Sequence, residues 1–216
     1  MSVYTTGNKR DIAYIQGNKI RCAYKAGQRF YKALLPPLQN MIVNGSFEAD
    51  TAGWASPQTL TREPIPNPRH NEYGLYSANI TGIPAGDVSA QLSSALAIAA
   101  GRKYYIRGRV RCGTSGLSNV CQYMNDLAVL SGIPSTGVMG ANIWVLYDGI
   151  WTASSTALLL RLSFTGGSSN QTRAVQFDNV MVVDLTAAYG ADSEPSLSQI
   201  RNRIIDGDGY FYALSA

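Results

Sequence analysis

The chain has 216 residues, of which 45% are hydrophobic and 15% charged, a composition typical of a folded globular protein with room for one sizeable β-domain and an appendage. Its net charge of +4 is mild, and the basic residues are spread along the whole sequence, which argues against a nucleic-acid partner. The N-terminus lacks an apolar signal core and no apolar stretch is long enough to cross a bilayer, so we expect neither a cleaved secretion signal nor membrane insertion.

Residues 1–34 contain a ten-residue repeat: the segment 4–9 (YTTGNK) recurs at 14–19 (YIQGNK) and again at 24–29 (YKAGQR). Tyrosine and other strand formers before a glycine-containing turn predict a small β-meander. Because isolated hairpins are marginal in water, we expect this meander to pack against other copies of the chain or against another protein, or else to fold back on the main domain. Residues 35–39 contain paired prolines and are predicted to be a stiff linker.

Residues 40–186 are predicted to form an antiparallel β-sandwich, because apolar and polar residues alternate in successive short segments. The apolar sets that predict inward faces are Val88, Ala90 and Leu92; Ile106, Gly108, Val110 and Cys112; Leu158, Leu160, Leu162 and Phe164; and Val175, Phe177, Asn179 and Met181. Cys112 and Cys121 flank a turn-like segment and either meet across it or are buried as small apolar side chains.

A set of short motifs occurs in order along this region: 40–48 (NMIVNGSFE) with Gly53-Trp54, 73–77 (YGLYS), Gln91 with 101–105 (GRKYY), 149–152 (GIWT) and 176–180 (QFDNV). The ordered set resembles the carbohydrate-binding modules attached to xylanases and related glycosidases. The resemblance covers about two thirds of the chain. It implies a jelly-roll β-sandwich and makes Trp54 and Trp151 framework residues.

The same resemblance implies a structural calcium ion, with Glu48 and Asp178 as side-chain ligands helped by backbone carbonyls. Calcium accepts oxygen ligands in irregular geometry, so this chemistry is consistent. Asn179 stands where the family has a second aspartate, which lowers the local negative charge. The alternative is that both carboxylates only accept backbone hydrogen bonds.

Sugar binding in this family uses the concave sheet or the loop edge, where aromatic faces stack on the sugar rings and polar groups bond their hydroxyls. Trp144 and Tyr147 cannot share a strand face because their separation is odd. The arginines would meet an acidic polymer or a neighbouring subunit, and each aromatic ring can instead be packing in the core or against a partner. The predicted carbohydrate-binding residues are Tyr105, Arg107, Arg109, Gln122, Tyr123, Trp144 and Tyr147.

The segment 183–196 (VDLTAAYGADSEPS) resembles a stretch found in phage and prophage structural proteins. Pro195 suits the first turn of a helix and Asp192 or Ser193 its cap, followed by an apolar stripe of Leu197, Ile200, Ile204 and Ile205 with Arg201 and Arg203 outside. Residues 187–216 are therefore predicted to form a short helix and a strand, 207–212, that pack on the sandwich.

No catalytic constellation is visible, because the single histidine, His70, has no evident nucleophile partner and no phosphate-binding glycine loop occurs. The sequence thus predicts a non-enzymatic phage virion protein of tail, fibre or head appendage, which forms homo-oligomers through residues 1–34 and binds host-surface polysaccharide. One alternative is a purely architectural virion component, for head decoration or tail assembly, without glycan binding. A second is a glycan-active enzyme.

Overall fold

The computed structural model describes residues 12–15, 18–25, 28–31, 38–65, 75–81, 88–112, 120–137, 139, 143–165 and 175–203. The chain divides into two compact units, Met1–Pro37 and Leu38–Ala216.

The N-terminal unit contains an antiparallel three-stranded sheet of β1 (Ile12–Ile15), β2 (Asn18–Lys25) and β3 (Gln28–Tyr31) in that order. The register follows the sequence repeat, because Tyr14 lies opposite Lys19 and Tyr24 opposite Arg29. The second and third repeats therefore each place the tyrosine across from the basic residue of the same repeat. The predicted β-meander is confirmed.

The second unit is an antiparallel jelly-roll β-sandwich with two short helices, which confirms the predicted fold class. Sheet I has the strand order β12–β9–β15–β6–β5, sheet II has the order β11–β10–β14–β7–β4, and β8 pairs with β13 separately. The strands are β4 (Trp54–Ala55), β5 (Thr59–Pro64), β6 (Tyr76–Thr81), β7 (Val88–Leu92), β8 (Leu96–Ala97), β9 (Lys103–Cys112), β10 (Val120–Asn125), β11 (Ala128–Val129), β12 (Val145–Thr152), β13 (Ala157–Leu158), β14 (Leu160–Thr165) and β15 (Val175–Asp184).

One main core lies between the two sheets and is built from the alternating apolar residues. Trp54 packs in it as predicted, with ring centroids 5.5 Å from both Phe47 and Phe177, while Trp151 contributes on β12. Cys112 and Cys121 are both buried in the same core and are not joined in a disulfide. These aromatic rings and thiols fill the interior between the two sheets.

A β-bulge in β15 changes the predicted alternation. The pairing with β9 shifts between Asp178 and Met181, and Asn179 has a positive φ of 52°. As a result Val180 and Val182 join Phe177 in the main core, and Met181 points to the other side of sheet I. The prediction that Met181 shares a face with Phe177 is wrong, because one extra residue in the strand reverses the direction of every side chain after it.

The sheets approach closely at a glycine of β9. A Cβ on Gly108 would lie 2.6 Å from the hydroxyl oxygen of Tyr123, so only glycine leaves room for that hydroxyl. The Tyr123 hydroxyl donates to the carbonyl oxygen of Tyr147 at 2.9 Å, and the two rings stack with centroids 4.2 Å apart. Both tyrosines are therefore core residues that join β10 of sheet II to β12 of sheet I.

A second apolar cluster covers the outer side of sheet I. It consists of Leu38, Tyr105, Met181, Val183, Leu185 and Ile200. Leu38 is buried here, so the folded unit begins before Asn40, and the predicted linker 35–39 does not extend over its last two positions. The bulge turns Met181 to the outer side of sheet I, and the apolar side chain of Leu38 packs in the cluster that forms there.

Two helices form where one was expected: α1 (Leu185–Tyr189) and α2 (Leu197–Arg203). The Asp184 side chain caps α1 by accepting the Ala187 N–H at 2.7 Å, and the Ser196 hydroxyl accepts the Gln199 N–H at 3.3 Å at the start of α2. The predicted caps Asp192 and Ser193 are thus wrong by one turn. The predicted Ile204, Ile205 and strand 207–212 lie outside the described residues. Neither of the two described helices has the length and apolar character needed to cross a membrane.

Candidate functional site

Three of the predicted sugar-binding aromatics are closed to solvent. Tyr105 and Tyr123 have no exposed surface and Tyr147 only 5%. Burial raises the pKa of the Tyr147 phenol to about 12, since its charged form would lose water. A ring must offer a free face to stack on a sugar. The assignment of these three residues to a sugar groove is therefore wrong, and the alternative of core packing is correct for them.

Tyr105 and the neighbouring arginines do share the outer face of sheet I, as the alternation predicts, but this face is closed. The residues Ser77, Asn79, Arg107, Gln176 and Asp178 on it are all buried. Arg109 is half-buried, and Arg111 donates from its guanidinium to the Gln176 side-chain oxygen. Alternation defines the side of a sheet on which a residue lies and says nothing of what covers that side. Arg107 is consequently no open binding surface, whereas Arg109 keeps part of its surface accessible.

An ion pair holds helix α2 on this face. The Arg201 guanidinium makes two hydrogen bonds to the Asp148 carboxylate, with Nε to Oδ2 at 2.8 Å, and the Tyr105 hydroxyl donates to the same Oδ2 at 2.9 Å. The Asp148 side chain is almost completely buried, whereas that of Arg201 is 44% exposed. Arg201, expected to lie outside, thus supplies the positive charge that a buried carboxylate requires. We call these three residues the helix clamp.

Trp144 and Gln122 lie elsewhere. Trp144 is half-buried immediately before β12 of sheet I. Gln122 is half-buried on β10 of sheet II, with its side chain on the face opposite to the core residues Cys121 and Tyr123. The seven predicted residues are therefore spread over the core, the closed face of sheet I and sheet II, and they do not form one groove.

The outer face of sheet II carries an ordered polar array. In the first row Gln122 lies opposite Ser163, which lies opposite Ser89, and in the second row Met124 lies opposite Arg161, which lies opposite Gln91. Their strand neighbours Ala90, Leu92, Leu160, Leu162 and Phe164 point into the core. We call these six residues the polar face. All but the buried Ser89 are half-buried, so water and a ligand can reach them.

Arg161 lies at the centre of this face. Its Nη1 makes one long hydrogen bond of 3.4 Å to the carbonyl oxygen of Asp126, and its Nε has no hydrogen-bond partner within the described part of the chain. A guanidinium, two primary amides and two hydroxyls offer donors and acceptors in a plane, at spacings of roughly 5 Å between strands and 7 Å along them. This arrangement can bond pairs of vicinal hydroxyls, and Met124 adds an apolar contact.

Five of the six residues were missed from the sequence: Ser89, Gln91, Met124, Arg161 and Ser163. The alternation of Leu160, Leu162 and Phe164 already placed Arg161 and Ser163 outside. What the sequence does not contain is the strand order, which brings β10, β14 and β7 side by side although they are far apart in the chain. The sequence therefore indicates on which side of its strand each of these residues lies, but it does not indicate which strands are neighbours.

The two predicted calcium ligands accept backbone hydrogen bonds. Glu48 Oε1 accepts the N–H groups of Leu75 at 2.9 Å and Tyr76 at 3.2 Å, and Asp178 Oδ1 accepts that of Asn179 at 2.7 Å. These bonds agree with the alternative interpretation and do not test the metal. Across the described ranges, no three His, Cys, Asp or Glu side chains group together in a way that could hold a metal ion.

The surroundings of Asp178 nevertheless fit a cation. Burial, with a smaller contribution from the charge of Glu48, raises the pKa of Asp178 well above its ordinary value. The side-chain oxygens Ser77 Oγ and Asn179 Oδ1 are buried, and neither has a hydrogen-bond partner among the residues described. A cation bound between the carboxylates would satisfy such oxygens and favour the charged form of Asp178.

A separate pocket of about 530 Å³ lies at the β4 end of sheet II, between the segments 41–44, 49–54 and 92–96. Its walls include Ile42, Trp54 and Leu92. The Trp54 indole donates to the carbonyl oxygen of Asn44, and the Asn44 amide in turn donates to the Asp50 carboxylate, so the rim is held by side-chain bonds. None of the predicted site residues lies in it.

No protein-family model and no curated protein matches the chain. Among solved structures, the chain is similar to the CBM22-1–GH10 modules of Clostridium thermocellum xylanase 10B complexed with xylohexaose, with 18% identity, 65% of this chain and 28% of that chain covered, and a TM-score of 0.47. It is similar to TmCBM61 complexed with β-1,4-galactotriose, with 14% identity, coverage of 68% and 99%, and a TM-score of 0.48. It is also similar to the enzymatically active domain of tailspike protein 4 of bacteriophage CBA120, with 15% identity, coverage of 66% and 21%, and a TM-score of 0.46. Similarities this distant assign no activity.

Proposed function

We propose that the sandwich is a non-catalytic glycan-binding module and that the chain is a component of a phage virion, assembled through residues 1–34. The observation that carries the glycan-binding proposal is the polar face, a reachable sheet surface with a guanidinium, amides and hydroxyls in two registered rows. Sugars are recognised by such planar sets of donors and acceptors. The absence of a carboxylate, histidine or cysteine among its six residues supports binding without hydrolysis.

Mechanistically, the glycan would lie across β10, β14 and β7. Arg161 would donate to hydroxyl or ring oxygens, Gln91 and Gln122 would each donate and accept, and Met124 would contact the apolar C–H surface of a sugar ring. The rigid sandwich core beneath the face holds these side chains in position before binding, which reduces the entropy lost on association. The helix clamp keeps the opposite sheet face closed, so one face remains for the ligand.

The test is retention of the full chain on purified bacterial cell-wall polysaccharides and on a glycan array. Arg161→Ala and Gln91→Ala should each weaken retention at least tenfold, the effect of about 1.4 kcal/mol of binding free energy. Arg102→Ala is the control, because Arg102 is an exposed arginine of the same unit that pairs with Asp184 and is not part of the polar face. Equal retention of all three variants and the wild type would remove the polar face as the site.

The virion assignment is supported by the segment 183–196 and by the ten-residue repeat, both of which resemble phage structural proteins. Deletion of residues 1–34 should leave a soluble folded sandwich that no longer assembles, measurable by light scattering. Unfolding of the remainder would contradict this division of roles. Locating the chain in purified virions by electron microscopy tests the localisation directly.

We also propose that a calcium ion stabilises the sandwich at Glu48 and Asp178, with oxygen atoms of Asn179 and Ser77 close by. Calcium should raise the melting temperature relative to a chelator, and Asp178→Asn should abolish the difference. A melting temperature that does not change with calcium would remove the metal.

A further inference from the structure

One side of the sandwich is unusually apolar. The large hydrophobic side chains that are exposed among the described residues are Val43, Leu75, Leu127, Val129, Ile143 and Leu146. Four of these six lie in or beside β11 and β12, the terminal strands of sheets II and I. Exposed apolar residues scattered singly are ordinary, but a group along one side indicates a contact surface.

The two terminal strands lie on the same side of the molecule. Tyr123 of β10, the neighbour of β11, stacks on Tyr147 of β12 with ring centroids 4.2 Å apart. Ile133, which follows β11 in the chain, lies over Gly149 of β12, with side-chain atoms 2.9 Å from the position of a Cβ there. Leu127 and Val129 on one sheet and Ile143 and Leu146 on the other therefore belong to one continuous edge.

This edge lacks the features that usually protect a terminal strand. From residue 127 to residue 147 the chain has no charged side chain. The opposite terminal strand of sheet I, β5, carries Arg62, Glu63 and Pro64 within six residues. Charges and proline are the common means of preventing edge-to-edge pairing. The same sheet thus has one protected edge and one unprotected edge.

Part of β12 is already covered by the chain itself. Gly132 approaches the carbonyl oxygen of Ile150, with its Cβ position 3.7 Å away, and Ile133 covers Gly149. Among the described residues no second strand pairs with β12 on its outer side, and at the start of β12 Leu146 is exposed, Val145 is half-buried and Tyr147 is buried.

We propose that this edge joins two copies of the chain, with the start of β12 running antiparallel to the start of β12 in the second copy about a two-fold axis near the exposed Leu146. Identical antiparallel strands are complementary in backbone donors and acceptors. A two-fold axis places equal charges near each other, which the uncharged run avoids, and the nearest carboxylate, Asp148, is already neutralised by Arg201. A second copy therefore fits this edge better than a partner recognised by charge.

Sedimentation of the full chain tests the proposal. The double variant Ile143→Lys, Leu146→Lys places like charges across the axis and should lower the mass of the assembly to that of the unit which residues 1–34 form without this edge. The matched control Val43→Lys, Leu75→Lys introduces the same charges at exposed apolar positions away from the edge and should keep the wild-type mass. Equal masses for the wild type and the double variant would overturn the proposal, including the case in which the edge binds another protein.

A second measurement does not depend on the strength of association. Leu146→Cys should be cross-linked to its own copy in high yield by a short bis-maleimide, because the axis brings the two positions together. Leu75→Cys, equally exposed, should give only the background yield. Equal yields from the two variants would show that the edges do not meet.

Discussion

The outer faces of the two sheets differ in their exposure to solvent. Sheet I carries the more charged face, with Tyr105, Arg107, Arg109 and Arg111 in one row, yet Arg107 is 4% exposed and α2 packs beside it. Sheet II carries a milder face of amides, hydroxyls and one arginine, and it stays reachable. Charge in an alternating strand therefore does not indicate exposure, because a charged face can be closed wherever another element supplies the opposite charge and a covering apolar surface.

The physical difference lies in the pairing of the arginines. Arg201 forms an ion pair with the buried carboxylate of Asp148. Loss of the Arg201 side chain would leave the negative charge of Asp148 without its cationic partner in the interior. Within the described ranges, Arg161 donates only to the carbonyl oxygen of Asp126, at 3.4 Å. The Arg201 guanidinium therefore stabilises the fold, whereas the Arg161 guanidinium can donate further hydrogen bonds to a ligand.

The largest effect is expected at the helix clamp. Arg201→Ala removes the charged partner of buried Asp148 and should lower the free energy of unfolding by roughly 2–4 kcal/mol, less than for a fully buried pair because the Arg201 side chain is partly hydrated. Urea unfolding followed by fluorescence measures it. In the double variant Arg201→Ala, Asp148→Ala, the loss should be smaller than in the single variant. A single variant as stable as the wild type would mean that α2 is not held by this pair.

The next effect concerns Asp178, whose pKa is raised mainly by burial. The folded state then keeps the proton to higher pH than the unfolded state, so stability falls as the pH rises above the ordinary aspartate pKa of about 3.9. Without calcium at neutral pH, Asp178→Asn should therefore stabilise the chain, by an amount on the order of 1 kcal/mol. With calcium the order should reverse. Destabilisation by Asp178→Asn under both conditions would show that the ionised carboxylate is already well satisfied.

A smaller effect is expected at Glu194, which lies between helices α1 and α2. A hydrogen bond from Thr186 and the ammonium group of Lys103 lower the pKa of Glu194 to about 2. The stabilisation is complete above the unfolded pKa of about 4.3 and is lost as the pH falls through the folded value. Glu194→Gln should therefore melt below the wild type at pH 7, with the difference disappearing near pH 2. A difference that does not change with pH would contradict the lowered pKa.

The fold was predictable from the sequence where a single strand determines its own faces. The repeat predicted the N-terminal β-meander, and the apolar alternation predicted which residues of β7, β9 and β14 share a face. It failed at Asp178–Asn179, because a bulge leaves no mark in an alternating pattern that continues beyond it. It also failed for the candidate site, because the polar face depends on which strands become neighbours, and because the residue type of an aromatic such as Tyr123 does not indicate whether its ring is buried.

The smallest effect on stability completes the comparison of the two faces. Arg161→Ala should change the free energy of unfolding by less than about 0.5 kcal/mol, the usual range for a surface position without a buried partner. Among the residues that the structure describes, the bond lost is the long one to Asp126, and one buried nitrogen without a partner there is removed with it. Urea unfolding beside Arg201→Ala checks this. A loss above about 1 kcal/mol would mean that Arg161 is a packing residue like those of sheet I, whereas unchanged stability together with lost retention on polysaccharide would identify its guanidinium as the part of sheet II that is free to bind.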